Sequence, residues 1–111
     1  MALATFDPGA FSARLILEMP EAEPDGQGGA ADAFSAVATL WARVEPVSGL
    51  RDEEAASEPM TVTHRIWLRH RGDISGDMRF RKGGRIFAIR AFRDPDESRR
   101  YLVCHCEEVG R

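Results

Sequence analysis

Hydrophobic and polar residues alternate most cleanly from Met60 to Arg71, in MTVTHRIWLRHR. Val62, His64, Ile66, Leu68 and His70 fall on one side, and Thr61, Thr63, Arg65, Trp67, Arg69 and Arg71 on the other. Successive side chains of a strand point to opposite faces, so this period of two predicts a half-buried β-strand. A helix would spread the same apolar residues around its circumference. Phe11–Met19 predicts a first strand, with Ala13, Leu15, Leu17 and Met19 on one face. Ala33–Val44 ends in LWARVEP, where Leu40, Ala42 and Val44 share one face, Trp41 and Arg43 the other, and Pro46 stops the strand. Met78–Arg81 and Arg85–Phe92 predict a hairpin around Lys82-Gly83-Gly84, whose paired glycines supply the positive φ of a tight turn. Arg100–Glu107 is the last strand, after a turn at Asp94-Pro95-Asp96. Six strands spaced as an antiparallel meander predict an all-β fold, a small six-stranded barrel or sandwich.

The intervening stretches differ in kind. Residues 1–10 read as a flexible N-terminal arm with a turn at Asp7-Pro8-Gly9. Residues 20–32, PEAEPDGQGGAAD, are acidic and glycine-rich with almost nothing to bury, so an exposed loop is expected. Residues 47–59, VSGLRDEEAASEP, hold helix-forming residues between Gly49 and Pro59 and predict one short helix or a long plastic loop. A loop between two strands of a small barrel is a natural seat of function. At 111 residues the chain forms one domain, 1–111, with a single modest core. No apolar run approaches the roughly 20 residues of a membrane helix, so no membrane association is expected. The first residues lack the basic start and apolar stretch of a signal peptide, so folding in the cytoplasm is expected.

Charge changes this picture. Net charge is −3 overall. Residues 1–58 hold eleven acids against three arginines, giving −8, and residues 59–111 hold seven acids against twelve bases, giving +5. Such asymmetry suits a nucleic-acid surface, or a subunit whose acidic side meets a neighbour's basic side. Arg65, Trp67 and Arg69 share one strand face, and Arg79, Arg81 and Arg90 are candidates to join them. Together with Trp41 and Arg43, they form either an aromatic and basic nucleic-acid platform or a protein interface, where Trp and Arg are enriched. The acidic first half would repel a phosphate backbone, which favours the protein interface.

Chemistry adds little. Cys104 and Cys106 lie on one face of a strand with His105 on the other, so the three do not converge on one ion, and a zinc site would need His64 or His70 from a neighbouring strand. Buried cysteines and ordinary strand histidines outweigh that reading, and no cofactor is expected. The serines lack a nucleophile-elbow setting, Lys82-Gly83-Gly84 is too short for a phosphate loop, and Asp52, Glu53 and Glu54 read as a solvated face. Nothing argues for an enzyme.

In order along the chain come Leu40-Trp41-Ala42-Arg43-Val44-Glu45-Pro46, Ser48-Gly49, Thr63-His64-Arg65-Ile66, Arg69-His70-Arg71 and Met78-Arg79-Phe80. Gly84-Arg85-Ile86-Phe87-Ala88-Ile89-Arg90, Asp94-Pro95-Asp96, Leu102-Val103-Cys104 and Glu107-Glu108 follow. From Phe11 to the end, this series resembles the phage head–tail joining family: head-closure proteins, also called stoppers or head–tail adaptors, of long-tailed phages and gene transfer agents. The first strand departs from the family pattern, its basic start being only Arg14, and the loop after it is unusually acidic.

The resemblance implies a six-stranded barrel with a small helix and a long loop, and a structural role without catalytic residues. It implies a homo-oligomeric ring of six or twelve subunits in the neck of a virion or phage-like particle, assembled in the bacterial cytoplasm. The implied partners are a portal or adaptor protein above, a tail terminator or tail tube protein below, and packaged double-stranded DNA in the channel. It further implies that residues 47–59 form the channel or gating loop, which carries Ser48, Gly49, Leu50, Arg51, Asp52, Glu53, Glu54 and Glu58. The alternative from a different class is a small nucleic-acid-binding β-barrel.

Overall fold

A computed structural model describes residues 10–21, 33–47 and 61–109. The strands are β1 (Ala13–Pro20), β2 (Phe34–Pro46), β3 (His64–Arg69), β4 (Arg79–Lys82), β5 (Arg85–Arg93) and β6 (Tyr101–Val109). All pairings are antiparallel, and the strands close into a barrel in the order β1-β2-β3-β6-β5-β4. This corrects the expected meander. β3 pairs with β6 instead of β4, and the connection after Arg69 reaches β4 on the far side of β3, next to β1. Two apolar residues of that connection, Ile74 and Met78, are buried in the core. Their burial anchors a crossing that local pattern does not announce.

The inward face follows the alternation. Leu15, Leu17, Ala42, Ile66, Leu68, Phe80, Phe87, Ile89, Leu102, Cys104 and Cys106 fill the barrel, with Leu40 and Val44 packed against them. At about 25 cal/mol per Å² of apolar area, a side chain such as Phe80 or Phe87 contributes roughly 1.5–3 kcal/mol by leaving water. The central strand is shorter than its alternating stretch, running from His64 to Arg69, although Thr63 N still donates to Cys106 O and His70 N to Arg100 O.

Two irregularities adjust the faces. Opposite Leu17 and Glu18 the register passes from Ala38 to Ala36, leaving Val37 as the extra residue of a bulge. In β5 it passes from Ile89 to Ala91, leaving Arg90 as the extra residue. Met19, expected with Leu15 and Leu17 in the core, is 46% exposed. The last β1–β4 rung is Glu18–Arg79, so Met19 stands on a two-stranded ribbon that runs past the barrel wall. Glu21 N donates to Ala33 O at 3.0 Å, so pairing extends into the expected 20–32 loop. In the β4–β5 turn only Gly83 takes the positive φ expected of both glycines, at 59°. Residues 22–32, the 1–9 part of the arm and residues 48–60, where a short helix or loop is expected, lie outside the described residues.

Candidate functional site

On a strand pair, residues directly opposite one another point to the same side, so the register lays out the outer surface as a grid. On β2 and β3 the rows are Arg43–Trp67 and Glu45–Arg65. Trp41 and Arg69 lie one step beyond the Ala42–Leu68 rung on the same side, and Arg14 of β1 is opposite Trp41. Five expected interface residues, Trp41, Arg43, Arg65, Trp67 and Arg69, are therefore brought together. Arg14 of the first strand joins them.

Glu45 is the one acid in those rows. It lies 3.8 Å from Arg43 and 3.5 Å from Arg65, and it accepts a hydrogen bond of 3.2 Å from Trp67 Nε1. Shared among three donors, this carboxylate anchors the Glu45 end of the face. At the other end Trp41 is 56% exposed, with the Arg14 guanidinium 5.8 Å from its ring. An exposed indole beside a guanidinium presents apolar area and positive charge together.

Arg79, Arg81 and Arg90 do not join this face. β4 is three strands from β3 in either direction around the barrel, so Arg79 and Arg81 stand on the opposite wall. There they converge on Glu18, with Arg79 Nε at 2.7 Å from one carboxylate oxygen and Arg81 Nε at 2.8 Å from the other. The Arg79 guanidinium stacks 3.7 Å from the Phe34 ring. Glu18 is buried, which pushes its carboxyl upward. The hydrogen bonds from Arg81 and Arg79 and their positive charges outweigh burial and hold it below the usual carboxylate value. These arginines close the barrel, whose β1–β4 seam is three rungs long. Arg90, the bulged residue of β5, bonds Glu107 at 2.7 and 3.1 Å. Sequence reading missed Glu18 because its partners are 61 and 63 residues away.

A second polar group sits where β3, β5 and β6 end. Arg85 donates to both oxygens of Glu108 at 2.9 and 3.1 Å, and Thr63 Oγ1 accepts from Glu108 N at 2.7 Å and lies 2.9 Å from His64 Nδ1. His64 packs edge-on against Phe87 with centroids 5.0 Å apart. Burial pushes the imidazole below its usual value; the nearby Glu108 charge works the other way and Arg85 reinforces the lowering. His64 is opposite Cys106, the arrangement a zinc site would require, yet no group of three or more metal-ligating side chains forms among the described residues. Burial pushes the Cys104 thiol up to about 12 and Cys106 well above its usual value. Neutral thiols of that kind are poor ligands and poor nucleophiles. His105 is on the outer side of β6, as alternation predicts, but is buried there beside Arg65 and Ala91.

The charge asymmetry also takes a different form in space. The described residues carry ten acids and thirteen bases, +3, whereas the remaining residues carry eight acids and two bases, −6. A basic barrel bears acidic connecting segments, and this division, more than the two halves of the sequence, is the relevant one. The eight expected loop residues, Ser48 to Glu54 with Glu58, lie outside the described residues. No helix among the described residues is long and apolar enough to cross a membrane.

The sequence profile of the phage head completion protein family matches residues 6–109. A chain from the virion of a native gene transfer agent particle is 32% identical, over 86% of this chain and 93% of that chain, with a TM-score of 0.64. A protein of Shigella flexneri 2a with a known solution structure is 29% identical, over 93% of this chain and 96% of that chain, with a TM-score of 0.69. No curated protein matches the chain.

Proposed function

The chain belongs to the phage head completion protein family, and from that premise we propose that it closes the head of a phage or gene transfer agent particle at the head–tail joint. It is a structural virion component. Copies assemble into a ring below the portal or its adaptor, retain the packaged double-stranded DNA, and offer the surface on which the tail docks.

The observation that carries the ring is the division of charge between a +3 barrel and connecting segments of −6. A subunit with opposite charges on different parts can associate head to tail, the kind of interface that generates rings. The β2–β3 face, with Trp41 exposed among arginines, has the residue types that dominate protein interfaces. The expected gating loop, residues 47–59, follows β2 at the end of the barrel that holds Thr63 and His64. From there it projects toward the channel axis as plug or ring contact. Asp52, Glu53, Glu54 and Glu58 repeated around a ring would repel DNA phosphates and keep DNA from adhering to the wall.

Electron microscopy of particles from a strain lacking this gene tests the proposal. Filled or leaking heads without tails, alongside free tails, are expected. Normal tailed particles would overturn the connector role and favour the arginine and tryptophan face as a nucleic-acid site, to be read by salt-sensitive binding of free DNA.

A further inference from the structure

The β2–β3 face contains a positive end that its own barrel leaves unanswered. Glu45 engages Arg43, Arg65 and Trp67, but Arg14 and Arg69, flanking the exposed Trp41, pair with no carboxylate among the described residues. At the other end of β2 the chain presents the opposite charge. The β1–β2 ribbon passes the last β1–β4 rung at Glu18–Arg79, continues through Pro20–Phe34, and is still bonded at Glu21 N to Ala33 O. It carries the segment that holds Glu23, Asp25 and Asp32.

That segment cannot answer its own Trp41. Asp25 is four residues beyond Glu21, a reach of at most about 14 Å for a fully extended chain. Trp41 is eight residues along β2 from Ala33, about 26 Å at the rise of a strand. Even a chain doubled straight back would leave roughly 12 Å between the backbones, and Glu23 and Asp32, closer to the stem, fall further short. By this reach Glu23, Asp25 and Asp32 can meet such a face only on another copy.

We propose that the acidic β1–β2 segment of one copy, through Glu23 and Asp25, docks on the Arg14–Trp41–Arg69 face of the next. This rests on the ring reading and names the two surfaces of its subunit contact. The two surfaces lie at different places on the same strand pair, so the contact is heterologous and repeats around a ring without using itself up. The bulge that leaves Val37 over, and the exposed Val37 and Met19 beside it, belong to the ribbon that delivers the donor. Trp41 supplies the apolar centre, and the two arginines supply direction.

Reciprocal charge reversal in the full-length chain, scored as tailed particles from a complemented deletion strain, tests this. Arg14→Glu with Arg69→Glu, and separately Glu23→Arg with Asp25→Arg, each places like charges across the contact, and each is expected to lower particle yield at least about tenfold. The four changes combined restore attraction with its sign inverted and are expected to bring the yield back to within about threefold of wild type. If either reversal is silent, or if both harm and the combination does not rescue, the contact is overturned. Arg14→Gln with Arg69→Gln keeps the test readable should the acidic variants fold poorly, and a wild-type yield from that pair likewise overturns it. Imaging the neck of wild-type particles separates the two levels. A ring without rescue rejects this contact and leaves the ring reading standing, whereas no ring rejects both.

Discussion

At the β1–β4 seam, Arg79 and Arg81 converge on one buried carboxylate; on the β2–β3 wall and the strand beside it, Arg69 of β3 and Arg14 of β1 flank the exposed Trp41 of β2, which no acid among the described residues pairs with. All four are arginines pointing outward from strands, and the alternation treats them alike. What separates them is the strand next door. β1 brings Glu18 opposite Arg79 and between two guanidiniums, so those charges become a clasp on a three-rung seam. β2 offers Arg69 a tryptophan, and its only acid, Glu45, is held by others further along the face. The first wall spends its charge inside the molecule, and the second keeps it for something outside.

The sharpest test of this contrast is stability. Glu18→Ala strips the seam of its anchor and leaves two guanidiniums facing each other. It is expected to cost about 2–3 kcal/mol, below the full cost of breaking a buried ion pair because both arginines remain partly hydrated. Trp41→Ala is expected to stay within about 0.5 kcal/mol, as surface changes usually do. Thermal unfolding resolves the difference, since about 1 kcal/mol moves the midpoint by roughly 4–6 °C in a chain of this size. Equal losses at the two sites would erase the distinction between clasp and docking face.

Acid is expected to loosen the Glu18 clasp. The carboxyl of Glu18 is held below its usual value, so its contribution is complete above the unfolded carboxylate pKa and is lost as pH falls through the lower folded value. Acid titration of the unfolding midpoint should show a step below about pH 4 that Glu18→Gln removes. Trp41→Ala should keep that step unchanged. A step that survives Glu18→Gln would assign it to other carboxylates and weaken the clasp.

The smallest expected effect lies at the barrel end, away from both walls. His64 is held below the usual imidazole value by burial, so the unfolded chain takes up its proton first. Stability is therefore fully present above about pH 6.5 and declines as pH falls through the folded value, a slope that His64→Gln should flatten. An NMR titration of the imidazole reads the same shift directly. A His64 that titrates at or above its free value would show that Glu108, 2.7 Å from Thr63 through its own N–H, governs the ring more than burial does.

Much of this molecule was legible along the chain. A period of two in side-chain polarity is a local property, because a strand turns each successive residue to the other face. Six strands, the inward set from Leu15 to Cys106 and the opposed faces of Cys104 and His105 followed from it. The shared face of Trp41, Arg43, Arg65, Trp67 and Arg69 followed as well, once β2 and β3 paired in sequence. The order of the series from LWARVEP to the closing strand carried the family.

Partnership was another matter. Which strand lies beside which depends on how the chain crosses the barrel between Arg69 and Arg79, and that crossing is secured by Ile74 and Met78 entering a core assembled from the whole chain. The alternation contains no term for it, so a meander is the natural expectation and Arg79 and Arg81 are candidates to join Arg65, whereas they stand on the opposite wall. Glu18 met its arginines, and Met19 ran out past the wall, for the same reason: burial and ion pairing are set by neighbours far away in sequence, and only closure of the barrel chooses those neighbours.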